Sequence, residues 1–188
     1  MKQLDANTAL VVIDLQVGIT GLPVVDPADE IVAKAAELVA VFRERDLPVV
    51  LVNTTFSTAG ADAVSVVTDA PPPAITRGPD WADLRAELGS DDHDILITKR
   101  QWDAFYGTEL DLQLRRRGVS GIVLCGISTS IGVEGTARSA NSHGYQLAIA
   151  TDACTDMNRS AHDNSIAVIF PRIAQLGTTD EILSALPA

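Results

Sequence analysis

The feature that most constrains this chain is a series of short apolar runs separated by stretches with helical periodicity. The runs are rich in Val, Ile and Leu, and apolar and polar residues do not alternate within them. Continuous apolar strands are typical of parallel sheets that helices cover on both faces. The pattern predicts an α/β fold, a three-layer sandwich around a mainly parallel sheet. The predicted strands are residues 9–13, 49–52, 94–98, 121–125 and 146–150.

Sequence signals at helix ends mark the segments between these strands. The Asp26-Pro27 pair offers an N-cap and a first-turn proline, and apolar residues at helical spacing follow it. Thr108 and Asp111 are spaced as a capping box that opens a second helix. A third helix, rich in small residues, is predicted over about residues 130–144.

The least regular stretch is residues 57–79, which contains the run Ala70-Pro71-Pro72-Pro73. Prolines exclude a strand or a long helix there. A loop of this length inside a compact domain is usually a binding loop, a lid or a dimer arm. Because the strands on both sides are needed to fill one sheet, the stretch is not a domain boundary. Residues 1–188 are therefore predicted to form a single domain.

The net charge argues against several classes of partner. There are 14 Lys and Arg residues against 25 Asp and Glu residues, which gives a charge of −11 at pH 7. Such a surface repels a phosphate backbone and an anionic membrane. No apolar run approaches the length of a membrane span, and the first residues lead into a strand without a signal-peptide core. We expect a cytoplasmic protein that binds neither nucleic acid nor membrane.

The cysteines and histidines are few and scattered. Cys125 and Cys154 form no CxxC pair, so neither a disulfide framework nor a zinc knuckle is expected. His93, His143 and His162 lie far apart in the sequence, and we interpret them as surface or capping residues. No metal and no cofactor are predicted.

Polar residues follow three of the predicted strands. Asp14 ends the first, Lys99 ends the third, and residues 126–132 connect the fourth to a helix. Ligands of open parallel sheets bind beyond the carboxyl ends of the strands. A carboxylate, an ammonium group and a helix N-terminus can together supply proton transfer, charge stabilisation and N–H donors for an anion. The residues alone leave a structural Asp–Lys ion pair equally open.

Four sequence blocks carry a family resemblance: VVIDLQ, KRQWDAFYGTELDLQLRRRG, GIVLCGISTSIGVEGTARSANSHGY and ATDACTD. They resemble the isochorismatase-like hydrolase superfamily, also called the cysteine hydrolase family, over about residues 8–170. The resemblance implies a Rossmann-like parallel sheet flanked by helices. It matches Asp14 and Lys99 to the Asp and Lys of the family, and it places Gly132 where many members have a nucleophilic Cys.

The glycine at position 132 decides which of the family's reactions the resemblance implies for this chain. Amidase members use a thiolate nucleophile, which Gly132 cannot supply, and Cys125 and Cys154 are interpreted as packing residues. Nicotinamidase members bind a metal through Asp and His residues that residues 53–57 lack. True isochorismatases also have Gly at this position and cleave a vinyl ether without a covalent intermediate. By this resemblance Asp14 is a general acid.

The resemblance extends to the residues around this position. It implies a cis Ile127–Ser128 peptide, amides of Ser128 and Gly132 that face the pocket as anion donors, and a carboxylate anchor or charge stabiliser at Lys99. We predict substrate contacts from Ser128, Thr129 and Trp102. Isochorismatases carry an aromatic residue and a His where this chain has residues 128–130, so its substrate is expected to differ.

The sequence thus predicts an oligomeric hydrolase, a homodimer or homotetramer, that acts on a small substrate bearing a carboxylate. The bond cleaved is a vinyl ether or a related C–O or C–N bond, and Asp14 acts as general acid or base without a Cys nucleophile. One alternative is a water-attacking amidase that uses the same Asp14 and Lys99 pair. Another is a catalytically inactive, ligand-binding member of the family.

Overall fold

A computed structural model describes residues 1–57, 60–70 and 77–187. Six strands in these ranges form one sheet in the order β3-β2-β1-β4-β5-β6, and every pairing is parallel. The strands are β1 (Thr8–Ile13), β2 (Val49–Thr54), β3 (Ile95–Lys99), β4 (Gly121–Ile127), β5 (Gln146–Thr155) and β6 (Gln175–Gly177). The α/β prediction and its five strands are confirmed. The sixth strand was missed because it has only three residues.

Helices cover the sheet on both sides. They are α1 (Val17–Thr20), α2 (Ala28–Glu44), α3 (Leu110–Arg116), α4 (Glu134–Ser142), α5 (Arg159–Asn164) and α6 (Thr179–Ala185). From β1 the chain crosses to one side of the sheet, and from β4 it crosses to the other. Because parallel crossovers are right-handed, α2 and α4 lie on opposite faces. The three-layer prediction is therefore confirmed.

Burial explains why the strands are continuously apolar. Every residue of the central strands β1 and β4 is buried, whereas buried and exposed residues alternate along the edge strand β3. On the α2 side the largest core side chain is that of Phe42, which is completely buried. In the described part of the chain, no helix is long and apolar enough to cross a membrane.

Two helix starts differ from the sequence prediction. The N-cap of α2 is Pro27, and Asp26 is paired with Arg159 instead. The prediction of a capping box before α3 is wrong. Its N-cap is Glu109, and the hydroxyl of Thr108 accepts a hydrogen bond from the Leu110 N–H at 3.1 Å. A local pattern of residue types cannot show which tertiary partners compete for these side chains.

The start of α6 carries a genuine capping box. The Thr178 hydroxyl accepts a hydrogen bond from the Glu181 N–H, and the Glu181 carboxylate accepts one from the Thr178 N–H at 2.9 Å. We expect Thr178→Ala to lower the free energy of unfolding by about 1 kcal/mol, measured by urea denaturation. Ser184→Ala, an exposed change in the same helix, is the control and should stay within about 0.5 kcal/mol of the parent. Equal effects of both changes would contradict a capping role.

The irregular stretch is confirmed where the structure describes it. Residues 60–70 and 77–80 contain neither helix nor strand, and the triple proline lies outside the described residues. Asp62 holds the start of this stretch, because its carboxylate accepts hydrogen bonds from the Ser57 N–H and from Arg100 Nε, both at 2.7 Å.

Candidate active site

The strand order has its switch point between β1 and β4, where the connections leave in opposite directions. A crevice opens at such a point beyond the carboxyl ends of the strands. The structure has a cavity of about 710 Å³ there. Of the residues predicted for the site, five line it: Asp14, Lys99, Trp102, Ser128 and Gly132.

A buried hydrogen-bonded cluster forms at this cavity. Lys99 Nζ donates to Asp14 Oδ2 and to Thr54 Oγ1, both at 2.6 Å, and to the carbonyl of Gln101 at 3.1 Å. The Thr54 hydroxyl donates in turn to Asp14 Oδ1 at 3.1 Å. Asp14 is only 6% exposed and Lys99 only 3%. Both charges are therefore compensated by each other and by Thr54, not by bulk water.

The surroundings of Asp14 change its acidity and its backbone. Burial raises the pKa of the Asp14 carboxyl, against the opposing effects of the Lys99 charge and the two hydrogen bonds from Lys99 and Thr54. The residue has φ of 52°, in a region that non-glycine residues seldom occupy and that is enriched at functional sites. A carboxyl group that keeps its proton to higher pH can act as a general acid.

Gly132 lies directly beside this carboxylate and packs closely against Ile13. A Cβ atom at this position would lie 3.4 Å from Asp14 Oδ2 and 2.9 Å from Ile13 Cγ2. A side chain here would thus contact the acidic group and would displace Ile13, whereas glycine lines the cavity without this clash. Cys125 and Cys154 are both buried and do not line the cavity. Burial raises the pKa of both thiols, that of Cys154 to about 12, in agreement with packing roles.

The turn that carries Ser128 and Gly132 is a wide, π-helical turn over Thr129–Val133. It follows a cis peptide between Ile127 and Ser128, as the resemblance implied. Asp156 holds the turn, because its carboxylate accepts hydrogen bonds from the N–H of Ser130 at 2.7 Å and from its hydroxyl at 2.8 Å. Such turns often occur at functional sites.

Thr129 differs from its predicted position. It does not line the cavity, and its fully buried hydroxyl lies 2.9 Å from His162 Nδ1. In this position the hydroxyl connects the turn to α5 and does not face the cavity. The surface interpretation fails for His162 too, since this residue is buried, whereas His93 and His143 are exposed. Both corrections come from one contact, which joins the turn at Thr129 to α5 at His162.

Gln16 and Thr54 were not identified from the sequence. The fully buried Gln16 amide donates to the carbonyls of Thr54 at 3.0 Å and Trp81 at 2.9 Å, and its oxygen accepts from the Thr54 N–H at 2.7 Å. It thereby joins the ends of β1 and β2 to the loop before β3. Thr54 could have been identified from the sequence, because it is a polar residue at the carboxyl end of the second strand.

Much of the remaining cavity wall is apolar and aromatic, and Arg77, Arg100, Gln101 and Asp103 also line the cavity. Trp102 lines it and is 66% exposed. Phe105 is buried, and its ring stacks on that of His143 with the two centroids 5.0 Å apart. It is therefore a packing residue. Further apolar lining comes from Ile19, Leu22, Phe56, Val64, Val66 and Tyr106. Among the described residues, no three His, Cys, Asp or Glu side chains are grouped as metal ligands.

Comparison with known proteins identifies the family and agrees with the fold. The isochorismatase domain profile matches residues 8–181. YecD, an isochorismatase family protein of Escherichia coli O157:H7, is 52% identical over 190 residues, which cover 99% of this chain and 100% of that protein. An isochorismatase family protein from Burkholderia thailandensis has a solved structure with a TM-score of 0.94 and 43% identity, covering 98% of both chains.

An amidase structure is also similar. N-carbamoylsarcosine amidase from Thermoplasma acidophilum has a TM-score of 0.73 and 28% identity to this chain, and the match covers 97% of this chain and 99% of that one. The domain profile covers most of the chain, and the relative from Escherichia coli is similar over its whole length. This chain therefore belongs to the isochorismatase family of hydrolases.

Proposed function

We propose that this protein hydrolyses a small anionic molecule at a vinyl-ether or related C–O or C–N bond, with Asp14 as the acid–base group and no Cys nucleophile. The observation that carries the proposal is the buried Asp14–Lys99–Thr54 cluster on the cavity, beside Gly132, which has no side chain to act as a nucleophile. The raised pKa of Asp14 fits an acid that must hold a proton before it reacts.

The vinyl-ether reaction needs only these groups. Protonated Asp14 transfers its proton to the enol-ether carbon, and the substrate becomes an oxocarbenium ion. Water adds to this ion, the hemiketal releases an alcohol to leave a ketone, and a proton from water returns to Asp14. The Asp14 carboxylate formed on the way is stabilised by the Lys99 ammonium and the Thr54 hydroxyl, which already point at its two oxygens.

The remaining site residues bind and orient the substrate in this proposal. Lys99 offsets negative charge at the reacting group, since its three N–H groups already donate to Asp14, Thr54 and Gln101. The amides of Ser128 and Gly132 donate to an anionic oxygen. Trp102 forms part of the wall against which the substrate body packs. Assembly as a homodimer or homotetramer is a separate proposal, which sedimentation velocity measurements can test.

The nature of the products tests the proposed reaction. Release of pyruvate from isochorismate supports vinyl-ether hydrolysis. The similarity to N-carbamoylsarcosine amidase favours a second candidate, a water-attacking amidase that uses the same Asp14 and Lys99 pair. Release of ammonia from amides supports that candidate. Ligand binding without turnover of either substrate class would support the third alternative, a catalytically inactive protein that binds a ligand.

The pH dependence of kcat distinguishes an acid from a base at Asp14. A general acid works only when protonated, so kcat falls as the pH rises through the pKa of Asp14, whereas a general base gives the opposite slope. The Lys99 charge lowers this pKa. In Lys99→Met the falling limb of the pH profile of kcat should therefore move to higher pH. Lys34→Met, which removes an exposed Lys paired with Glu37, is the control and should leave the limb in place. An unmoved limb in Lys99→Met would contradict the assignment to Asp14.

A further inference from the structure

Arg77 is a cation on the same cavity that the proposed chemistry does not use. The other charged side chains there have partners. Asp14 and Lys99 pair with each other, Arg100 Nε donates to Asp62 at 2.7 Å, and the Asp103 carboxylate accepts from the Ser139 hydroxyl at 2.7 Å. Within residues 1–57, 60–70 and 77–187, Arg77 has neither an ion pair nor a hydrogen-bond partner for its side chain. Residues 58, 59 and 71–76 include no Asp or Glu.

Two aromatic rings hold the Arg77 guanidinium group. Its Cζ lies 4.6 Å from the ring centroid of Phe56 and 5.3 Å from that of Trp81. Both distances are within the range of cation–π attraction. Stacking uses the flat faces of a guanidinium group and leaves its N–H edges free to donate two parallel hydrogen bonds to a carboxylate or phosphate.

Trp81 is itself fixed in place. It is only 6% exposed, and its indole lies so close to Gly18 that a Cβ there would come within 2.0 Å of the indole Cδ1. The carbonyl of Trp81 also accepts a hydrogen bond from Gln16 at 2.9 Å. The ring that positions Arg77 is thus anchored to the ends of β1 and β2, which also carry Asp14 and Thr54. The exposed Arg77 guanidinium group therefore lies against a ring that is itself held in place.

We propose that Arg77 is a specificity-determining residue that binds an anionic group, carboxylate or phosphate, of a substrate whose body is apolar. The inference rests on the proposed function, because it concerns the substrate of that site. The apolar body follows from the wall formed by Ile19, Leu22, Val64, Val66, Trp102 and Tyr106. The anion follows from a preorganised cation with no carboxylate partner among the described residues.

Calorimetric titration with three matched probes tests this inference. Benzoate, phenylphosphonate and benzamide share one apolar ring and differ in their polar group. The parent should bind at least one of the two anions about tenfold more tightly than benzamide, and the stronger anion identifies the chemistry. In Arg77→Gln the preference for the anion over benzamide should fall below about threefold. Arg77→Lys keeps the charge but loses the planar group that donates two parallel hydrogen bonds, so its preference should be intermediate.

Arg100→Gln is the matched control, because Arg100 lines the same cavity but is paired with Asp62. It should keep the full preference for the anion. An undiminished preference in Arg77→Gln, or no preference in the parent, would overturn the inference. Asp14→Asn separates the two proposals, since an Arg77-dependent preference must persist in this variant. If that preference persists but the parent turns over no substrate, only the proposed function fails.

Discussion

Asp14→Asn should lower kcat/KM for the substrate of this protein by about 10³, within the range that a positioned acid–base group contributes. The amide cannot donate an acidic proton to carbon, and it cannot form the carboxylate that Lys99 stabilises after the proton is transferred. The hydrogen bonds can largely persist, because the Asn oxygen can accept from Lys99 or from Thr54. The loss should therefore be catalytic, and steady-state kinetics on any turned-over substrate will measure it.

Asp103→Asn is the matched control, since Asp103 is a second carboxylate on the same cavity without contact to Lys99. Its kcat/KM should stay within about tenfold of the parent, because it has no partner through which to assist proton transfer. Thermal unfolding of both variants shows whether each is folded under the assay conditions. A folded Asp14→Asn variant with more than a tenth of parental kcat/KM would refute acid–base catalysis by Asp14.

The sequence was sufficient to place Asp14, Lys99 and Gly132 at one site. In a parallel sheet the residues after each strand meet at the same edge, so strand ends predicted from apolar runs already imply proximity. The side chains that face the cavity could not be inferred in the same way. Thr129 follows directly after Ser128, yet its hydroxyl points to His162, because adjacent residues at the start of a helical turn project in different directions.

The parts of the site that were missed depend on contacts between distant segments. Gln16 contacts Thr54 and Trp81, and Arg77 contacts Phe56 and Trp81. None of these pairs has a local spacing rule, and the loop that brings Trp81 to Gln16 contains neither helix nor strand in residues 77–80. Periodicity predicts elements, whereas such loops are positioned by single hydrogen bonds and stacked rings.

Gly132→Cys should create a reactive thiol in the cavity. A Cβ at this position lies 3.4 Å from Asp14 Oδ2, so the sulfur is placed near a group that can take its proton and near the Lys99 ammonium that stabilises a thiolate. We expect it to react with iodoacetamide at least tenfold faster than Cys125 or Cys154 in the parent, because burial raises the pKa of both. Mass spectrometry of the modified peptides measures the three rates separately.

The substitution has a steric cost that must be separated from its chemistry. The new Cβ lies 2.9 Å from Ile13 Cγ2 in a fully packed region, so we expect a loss of about 1–3 kcal/mol in the free energy of unfolding. Gly132→Ser has a similar size without a thiol, and its unfolding measures that cost alone. Adding Asp14→Asn to Gly132→Cys should remove most of the rate advantage, because the thiol loses its base. A cysteine at position 132 that reacts no faster than the buried parental thiols would show that Asp14 and Lys99 are not arranged to activate a group there.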